Sequence, residues 1–290
     1  MPPPSSGGIH LVQILNTLSH FDLNASGHNS AQTVHIMAEA MKNAYADRSK
    51  YLGDPDFVKI PYEWLTSPAY GEEIALKLPK DKARKSRTIK PGTKPIYESN
   101  ETTHYSVIDK NGNAVSNTYT LNFSFGSNIM VPGTGILLNN EMDDFSSKPG
   151  HPNAYGLVGG SANAVQPEKR MLSSMTPTLV LKDDKIFMAT GSPGGSRIIT
   201  TVLQILLNVT EHNLNIAEAS YAPRIHHQWL PDILWVEKGI SPDTIDLLKK
   251  KGHRIRTTRA MGGTQSIIKT ESGLYGSSDP RKPASLTVGY

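Results

Sequence analysis

Thr102, in the sequence Glu101-Thr102-Thr103, has the setting of a nucleophile that creates its own base. A threonine hydroxyl is a weak nucleophile at neutral pH and needs a base beside it. One such base is the threonine's own α-amino group, which becomes free only when the peptide bond after Glu101 is cut. On this hypothesis the chain is a precursor, in which the hydroxyl of Thr102 attacks the carbonyl of Glu101 and water hydrolyses the resulting ester.

A predicted β-hairpin would bring further side chains to Thr102. Two β-rich runs, Thr103–Asp109 and Ala114–Leu121, surround an Asn-Gly pair, which is the strongest short-range hairpin signal. A strict two-residue turn would pair Thr103 with Thr120 and put Thr102 on the opposite face, so a contact between Thr102 and Thr120 requires a bulge or a longer loop. By itself the hairpin also fits an ordinary two-stranded ribbon.

A glycine pair, Gly194-Gly195, lies just before a helix predicted over Ser196–Val209. Backbone N–H groups at the start of a helix are unpaired and point at whatever carries negative charge. A phosphate-binding P-loop would need Lys followed by Ser or Thr after the glycines, and this sequence lacks them. An oxyanion fits better, since two such N–H groups can stabilise a tetrahedral intermediate. A close-packed structural turn is the alternative.

Periodic apolar residues and end signals predict the scaffold around these sites. The predicted helices are Gly8–Leu18, one capped by Ser30, one starting near Ser67-Pro68, Ser196–Val209, one with a capping box of Asn215 and Glu218, and one from Ser241-Pro242 to Gly252. The predicted strands include Thr178–Leu181 and Ile186–Thr190, and the runs Arg254–Thr257, Gln265–Lys269 and Leu274–Gly276 are expected to complete a sheet.

Five segments, taken together, resemble the γ-glutamyltranspeptidase family, also called glutathione hydrolases. They occur in the order and spacing of that family, and the set is far more specific than any single motif. The segments are Thr102–Val107, Thr118–Asn122, Gly135–Phe145, Leu172–Met175 and Gly191–Arg197. The resemblance implies an α+β fold, the four-layer αββα sandwich of N-terminal-nucleophile hydrolases, apparently without its N-terminal portion.

The resemblance also implies the residues that bind substrate. Asn122, Glu141 and Asp144 match residues that hold the α-amino group of a γ-glutamyl substrate, and an ammonium group suits carboxylates combined with a neutral acceptor. Ser173 and Ser174 match a pair that donates hydroxyl hydrogen bonds to the α-carboxylate of the substrate.

Two more roles follow from the same resemblance. Tyr155, in a glycine- and proline-rich loop over Lys148–Gly160, matches the residue that closes over bound substrate, although the loop alone also fits a passive surface segment. Thr120 would orient the hydroxyl of Thr102, while Gly194 and Gly195 would bind the oxyanion.

The implied reaction moves the γ-glutamyl group of glutathione or a similar donor onto Thr102, from which water, an amino acid or a dipeptide removes it. Residues 1–101 would form the C-terminal part of a large subunit, with an exposed linker over about 79–101. Residues 102–290 would form the small catalytic subunit, and the two would remain together as a heterodimer after self-cleavage. No metal or other cofactor is expected. A related acylase or polyglutamate hydrolase is an alternative.

A different hypothesis is an inactive chain that needs a partner to supply a missing half. Pro2–Gly8 matches an internal stretch of the family's large subunit, so the arginine that pairs with the substrate α-carboxylate in the family would lie upstream of Met1. Two serine hydroxyls do not easily replace a bidentate guanidinium group.

Composition narrows the function classes. A chain of 290 residues that is 37% hydrophobic and 19% charged predicts one globular core. The net charge of +4 is mild, and the basic cluster at positions 80–87 lacks interleaved aromatic residues, so nucleic-acid binding is not expected. The absence of cysteine excludes disulfides and a cysteine nucleophile.

The remaining expectations concern location and isolated polar residues. The sequence has no signal-peptide pattern and no apolar run that would span a bilayer, so no membrane partner is expected, while the resemblance implies a periplasmic or secreted location. His226 and His227 lack metal-ligand spacing, which favours structural or hydrogen-bonding roles. Arg224 and Arg281 are expected to support the core through ion pairs.

Overall fold

The computed structural model describes residues 1–90 and 103–289, so the predicted cleavage site at Glu101 and Thr102 lies outside the described residues. The helices are α1 (Gly7–Leu18), α2 (Leu23–Ser26), α3 (Ala31–Tyr51), α4 (Tyr62–Leu65), α5 (Pro68–Lys77), α6 (Arg197–Thr210), α7 (Ile216–Tyr221) and α8 (Pro242–Lys250). The strands are β1 (Thr103–Ile108), β2 (Ala114–Tyr119), β3 (Thr178–Lys182), β4 (Lys185–Thr190), β5 (Ile225–His226), β6 (Leu234–Glu237), β7 (Ile255–Thr258), β8 (Gln265–Thr270) and β9 (Gly273–Ser278). The expected α+β class is confirmed.

The helix ends follow the capping signals of the sequence. The hydroxyl of Ser30 accepts a hydrogen bond from the backbone N–H of Thr33 at 3.1 Å and starts α3. Asn215 and Glu218 form the predicted capping box at the start of α7. Helix α6 is buried all round, since every residue from Arg197 to Val209 is buried. None of the described helices is both long and apolar enough to cross a membrane.

Three sheets form within the described ranges: β1-β2, β3-β4-β8-β9 and β5-β6-β7. The expectation that Arg254–Thr257 joins the runs after it in one sheet is wrong. Strand β7 pairs in parallel with β6, with Leu234 opposite Ile255, whereas β8 pairs with β4 and β9. The two-residue strand β5 and the four-residue strand β6 were not predicted, because runs that short carry little periodic signal.

The four-stranded sheet, the β1-β2 hairpin and the helices are stacked on one another. Ile268 of β8 belongs to the main hydrophobic core together with residues of α3 and α6. Its neighbour Ile267 lines a cavity with Ile108 of β1, and neighbouring residues of a strand point to opposite faces. The four-stranded sheet therefore lies between the helices and the β1-β2 hairpin, as the α, β and β layers of the expected sandwich require.

The hairpin has a loop longer than two residues, as a contact between Thr102 and Thr120 requires. Strand pairing places Thr103 opposite Tyr119 and ends with Ile108 opposite Ala114. The intervening loop is organised by Asp109, whose carboxylate accepts hydrogen bonds from the backbone N–H groups of residues 111 and 113 at 2.9 and 2.8 Å. The strict two-residue turn is therefore excluded.

The described part of the expected exposed linker, residues 79–90, is mostly exposed but is attached to the core through a few side chains. The guanidinium of Arg84 donates to the buried Glu39 carboxylate at 2.7 Å. The hydroxyl of Ser86 donates to Asp232 at 2.7 Å. The polar composition of this segment predicts that all of it is exposed. The carboxylates of Glu39 and Asp232 nevertheless bind the side chains of Arg84 and Ser86.

The predicted ion pairs of the two C-terminal arginines are confirmed. Arg224 pairs with Asp279, and both side chains are at most 2% exposed. Arg281 pairs with Glu237 and also with Asp279, in the latter case at 3.1 Å. These bonds connect the segment after β9 to the start of β5 and the end of β6, because Arg224 precedes β5 and Glu237 ends β6.

Removal of one member of this buried cluster should destabilise the fold strongly. We expect Asp279→Ala to lower the free energy of unfolding by about 3–5 kcal/mol, because it leaves the guanidinium of Arg224 buried without its carboxylate. The matched change Asp246→Ala removes an exposed pair with Lys249 and should cost less than about 1 kcal/mol. Urea denaturation of the three proteins measures both values, and equal costs for the two variants would contradict the assignment.

Candidate active site

One pocket gathers seven of the predicted site residues from segments far apart in the sequence. Its lining consists of Arg48, Thr120, Asn122, Asp144, Tyr155, Leu157, Ser173, Ser174, Met175, Gly195, Ser196 and Ile198. Of the other predicted residues, Glu141 precedes Asp144 in a short 3-10 helix, and Gly194 lies beside Gly195. Glu101 and Thr102 lie outside the described residues.

The acidic side of the site is formed by the loop after β2 and by the short helix Glu141–Asp144. Asn122 is buried in a left-handed conformation with φ +72°, and its side-chain amide donates to the carbonyl of Asn140 at 3.1 Å. One carboxylate oxygen of Glu141, Oε2, is buried and has no hydrogen-bond partner within the described ranges. A buried acceptor of this kind favours a donor from a ligand, because an unmade hydrogen bond is costly.

Both carboxyl groups are shifted toward the neutral form. Burial raises the pKa of Glu141 to about 7. Burial, reinforced by the neighbouring charge of Glu141, also raises the pKa of Asp144 to about 7, while Arg48 acts in the opposite direction. A cationic group between the two carboxyls would favour their ionised forms. This side of the site is therefore suited to an ammonium group.

Ser173 and Ser174 are two further lining residues of the pocket, and the N-terminal segment holds them in place. The backbone N–H and the hydroxyl of Ser6 both donate to the carbonyl of Ser173, at 2.9 and 2.8 Å. The hydroxyl of Ser5 donates to the carbonyl of Met175 at 2.8 Å. These bonds fix the backbone of the serine pair while the pair itself lines the pocket.

Arg48 is a site residue that the sequence analysis did not find. Its guanidinium Nη2 atom lies 3.3 Å from the hydroxyl of Ser174 and lines the same pocket. A signal was present in the sequence, because Arg48 continues the apolar stripe of α3 that runs through Met41, Ala44 and Tyr45 at spacings of three and four residues. A charged residue on the buried stripe of a helix indicates a specific partner.

The Tyr155 ring packs against Gly195 in this structure. Its side chain is buried, and its hydroxyl donates to the carbonyl of Asn122 at 2.8 Å. The ring lies so close to Gly195 that a Cβ atom there would be 2.5 Å from two ring carbons. The pocket volume is about 20 Å³, which has room for one water molecule. In this conformation the pocket is therefore too small for a larger ligand.

The glycine pair has the conformation that an anion-binding turn needs. Gly194 and Gly195 have φ values of +135° and +53°, which favour glycine over other residues. Their carbonyls accept hydrogen bonds from Arg197 and Ile198 at 3.0 and 3.2 Å, which begins α6. Within the described ranges, neither glycine N–H donates a hydrogen bond. Both glycines thus directly precede a buried helix, and Gly195 lines the pocket.

The histidines of the core are held by protein partners. His226 contacts Thr200 at 2.8 Å and Gln228 at 2.9 Å, in agreement with the predicted hydrogen-bonding role. A second cluster of His35, Glu39 and His253 has the donor types of a metal site. Both oxygens of the Glu39 carboxylate, however, are occupied by the side chains of Lys42 and Arg84. Two cations at that position disfavour a third, so the cluster does not fit a metal ion.

Comparison with known proteins places the chain among enzymes of one family. A sequence profile of γ-glutamyltranspeptidase matches residues 1–288. The chain is 62% identical over 291 residues to the glutathione hydrolase proenzyme of Escherichia coli (strain K12), with 100% of this chain and 50% of that protein covered. The chain spans about half the length of the curated relatives it matches.

Solved structures agree with the sequence comparison. An acivicin-inhibited γ-glutamyltranspeptidase superposes with a TM-score of 0.61 at 59% identity, over 62% of this chain and 99% of that chain. A cephalosporin acylase from Bacillus halodurans superposes with a TM-score of 0.82 at 28% identity, over 97% of this chain and 49% of that one. Both are N-terminal-nucleophile hydrolases, so the expected fold is confirmed.

The raised pKa values predict a characteristic pH dependence of stability. The folded protein holds protons on Glu141 and Asp144 that the unfolded chain releases, so the free energy of unfolding should fall as pH rises from about 4.5 to about 7. Glu141→Gln should remove up to about 1.4 kcal/mol per pH unit of that slope. Urea denaturation at several pH values measures it, with Glu73→Gln on the exposed face of α5 as control. A slope unchanged by Glu141→Gln would contradict the burial of its carboxyl group.

The contact between Tyr155 and Gly195 predicts that a methyl group will force the loop open. Gly195→Ala should destabilise the protein by about 1–3 kcal/mol, through overpacking against the ring and through its positive φ. Gly133→Ala separates the ring contact from the backbone conformation. Gly133 also has a positive φ, +78°, but no heavy atom lies within 4 Å of the position that its Cβ atom would take. Thermal unfolding and protease sensitivity of the 148–160 loop measure the effect. Equal destabilisation by the two changes would show that the ring contact contributes nothing.

Proposed function

The chain belongs to the γ-glutamyltranspeptidase family, and we propose that it cuts itself between Glu101 and Thr102 and then transfers γ-glutamyl groups. The donors are glutathione and other γ-glutamyl compounds. The acceptors are water, which gives hydrolysis, or an amino acid or dipeptide, which gives transpeptidation. The chemistry uses side chains and backbone groups of this chain and needs no cofactor.

The observation that carries the proposal is the composition of the pocket. Asn122 and Asp144, Ser173 and Ser174, and Gly195 all line the same pocket. This arrangement suits a ligand that has an ammonium group, a carboxylate and an acyl carbon at once. The γ-glutamyl group has all three.

The proposed transfer proceeds in two acyl-transfer steps. The hydroxyl of Thr102 attacks the γ-carbonyl carbon while the free α-amino group takes its proton, and the N–H groups of Gly194 and Gly195 stabilise the oxyanion. Collapse of the intermediate expels the donor's amine, which receives the proton, and leaves an ester on Thr102. Water or an acceptor amine then attacks the ester, and the Thr102 hydroxyl is restored.

The strand register supports the proposed role of Thr120. Strands β1 and β2 pair Thr103 with Tyr119, so Thr120 directly follows the residue that lies opposite the first described residue of β1. Thr120 also lines the pocket, and its hydroxyl accepts a hydrogen bond from the backbone N–H of Asn122 at 2.8 Å. We therefore assign Thr120 the task of orienting the nucleophile.

The proposal includes the assembly and location that the family implies. Residues 1–101 and 102–290 would remain associated as a heterodimer of a large-subunit portion and a small catalytic subunit. A periplasmic or secreted location, with no nucleic-acid or membrane partner, belongs to the same proposal. Similarity to a cephalosporin acylase keeps a related acylase as an alternative, in which the leaving group differs but the acyl transfer is the same.

A specific observation favours a second candidate, a chain that works only with a partner. The face of the β1-β2 hairpin that points away from the four-stranded sheet exposes four large apolar or aromatic residues, Tyr105, Val107, Val115 and Tyr119. Contiguous exposed apolar residues indicate an interaction surface. On this candidate the carboxylate and amine subsites form here, but turnover requires the remaining half of the family's length.

Self-cleavage provides the decisive test. We expect the purified chain to convert into fragments of 101 and 189 residues from its total of 290, and Thr102→Ala to stay intact, because the mutant lacks the hydroxyl. Thr103→Ala is the matched control, since it removes the neighbouring threonine and should leave cleavage unchanged. Intact mass spectrometry measures the products, and release of 4-nitroaniline from γ-glutamyl-4-nitroanilide measures turnover.

Each outcome of that test distinguishes the candidates. Cleavage and turnover in the wild type, both lost in Thr102→Ala, support the γ-glutamyl transferase. A single uncleaved chain in both proteins refutes self-processing by this chain alone and favours the candidate that needs a partner. Cleavage that persists in Thr102→Ala would refute Thr102 as the nucleophile of processing.

A further inference from the structure

Gln228 is bonded to two parts of the candidate site, although it does not line the pocket. The residue follows β5 by two positions and is 2% exposed. Its amide nitrogen Nε2 donates to the carbonyl of Tyr155 at 3.1 Å and lies 3.4 Å from the carbonyl of Leu230. Its amide oxygen Oε1 accepts from the hydroxyl of Ser196 at 2.7 Å. One buried amide therefore connects the Tyr155 loop, residues 148–160, to the residue that follows Gly195.

The neighbours of this amide fix its orientation. A backbone carbonyl can only accept a hydrogen bond, so the nitrogen of Gln228 must face Tyr155 and the oxygen must face Ser196. Nε2 of His226 lies 2.9 Å from the same amide oxygen and therefore donates to it. Both ends of the amide are thus engaged, and the amide cannot turn over without the loss of these bonds.

The loop end of this connection holds the residue that limits the size of the pocket. The ring of Tyr155 packs against Gly195, and its hydroxyl donates to the carbonyl of Asn122 at 2.8 Å. Gln228 binds the backbone carbonyl of the same tyrosine. The ring position that leaves a pocket of about 20 Å³ is therefore supported from both the side chain and the backbone of Tyr155.

The other end holds the residue that ends the glycine turn. Ser196 directly follows Gly194 and Gly195, which have positive φ values. The carbonyl of Ser196 accepts a hydrogen bond from the hydroxyl of Tyr45 in α3, and its own hydroxyl is held by Gln228. Because the peptide unit between Gly195 and Ser196 is planar and rigid, a shift of Ser196 also shifts the end of the glycine turn.

We propose that Gln228 couples the position of the Tyr155 loop to that of the glycine turn, so that the loop and the turn change position together. Gln228 is a positioning residue, because it acts through Tyr155 and Ser196. The inference rests on the proposed function only for the role of the turn as an oxyanion site. In that role, the coupling brings the oxyanion donors to their position when the loop packs over the site.

Hydrogen exchange measured by mass spectrometry tests the coupling without any need for turnover or self-cleavage. Gln228→Met keeps the length of the side chain and removes both polar ends. We expect exchange to become about twofold to tenfold faster in peptides from the 148–160 loop and in peptides that cover residues 191–198. The reason is that the loss of a neutral hydrogen bond raises the population of locally open states by about that factor. Intact mass verifies that the compared proteins are in the same state of cleavage.

Ser196→Ala distinguishes coupling from a local effect on packing. This change removes the hydroxyl that orients the turn end of the amide, while the bond from Gln228 to Tyr155 remains possible. Coupling predicts that the 148–160 loop nevertheless exchanges faster than in the wild type. The double variant Gln228→Met/Ser196→Ala should exchange in the loop no faster than Gln228→Met alone, because both changes break the same connection.

Gln204→Met is the matched control for the loss of a buried glutamine. Gln204 is 4% exposed, and its amide binds the carbonyls of Thr200 and Ile225 at 2.6 and 2.8 Å and the N–H of Ile225 at 2.8 Å. These partners lie in neither the loop nor the glycine turn. Exchange in both segments should therefore stay within about twofold of the wild type, and peptides from β6 report any loss of global stability.

The outcomes separate this inference from the proposed activity. Faster loop exchange in both Gln228→Met and Ser196→Ala, without additivity in the double variant and without an effect of Gln204→Met, supports the coupling. Loop exchange that is unchanged in Ser196→Ala, or effects that add in the double variant, overturn it, even in a chain that turns over the anilide. If Gln228→Met does not fold, the loop exchange of Ser196→Ala decides alone. A chain that shows the coupling but neither cleaves itself nor turns over the anilide contradicts the proposed function and leaves this inference standing.

Discussion

The hydrogen bonds of Arg48 hold together three segments of the chain that are distant in sequence. The guanidinium of this α3 residue contacts Ser6 near the N terminus and Leu172 and Ser174 in the loop before β3. Ser6 in turn donates to the carbonyl of Ser173. Because a guanidinium group presents its donors in a rigid plane, these contacts set the position of the serine pair relative to α3. One side of the pocket depends on that constraint.

The pocket contains polar and charged groups that lack a hydrogen-bond or ion-pair partner among the described residues. A buried oxygen of Glu141 has no partner within the described ranges, and Arg48 is buried without a carboxylate in contact. Gly194 and Gly195 add two backbone conformations that other residues rarely adopt. Such features lower stability and are typical of sites where a ligand completes the bonding. The apolar helix α6 and the sheets around it provide the rigid support that makes them tolerable.

Polar groups of the core also bind the first part of the linker, residues 79–90. Arg84 and Ser86 are bound to acidic residues of the core, and the indole N–H of Trp229 donates to the carbonyls of Ser86 and Ile89 at 2.8 and 3.2 Å. The chain is therefore anchored to the core as far as Ile89. If the bond after Glu101 is cut, this anchor gives the first segment a fixed attachment that does not depend on the cut itself.

Local signals in the sequence were sufficient for six of the eight helices in the described residues, for the hairpin and for the glycine turn, but not for the four-residue helices α2 and α4. The hydrogen bonds of the Ser30 cap, of the Asn215 capping box and of the loop organised by Asp109 each join residues only a few positions apart. Neighbouring residues are therefore enough to predict them. The resemblance to a known family predicted most of the pocket lining as well. Motif order, unlike local propensity, carries information about residues that meet only after folding.

Other features depend on contacts between segments that are far apart along the chain. The parallel pairing of β7 with β6, the docking of Arg84 on Glu39 and the position of Arg48 beside Ser174 each join residues separated by tens of positions or more. A polar residue on a helix stripe or in a basic connector has the same local pattern whether it is solvated or buried. Only the packing of the other segments determines which polar groups lose water, and therefore which of them acquire partners in the protein and which remain available to a ligand.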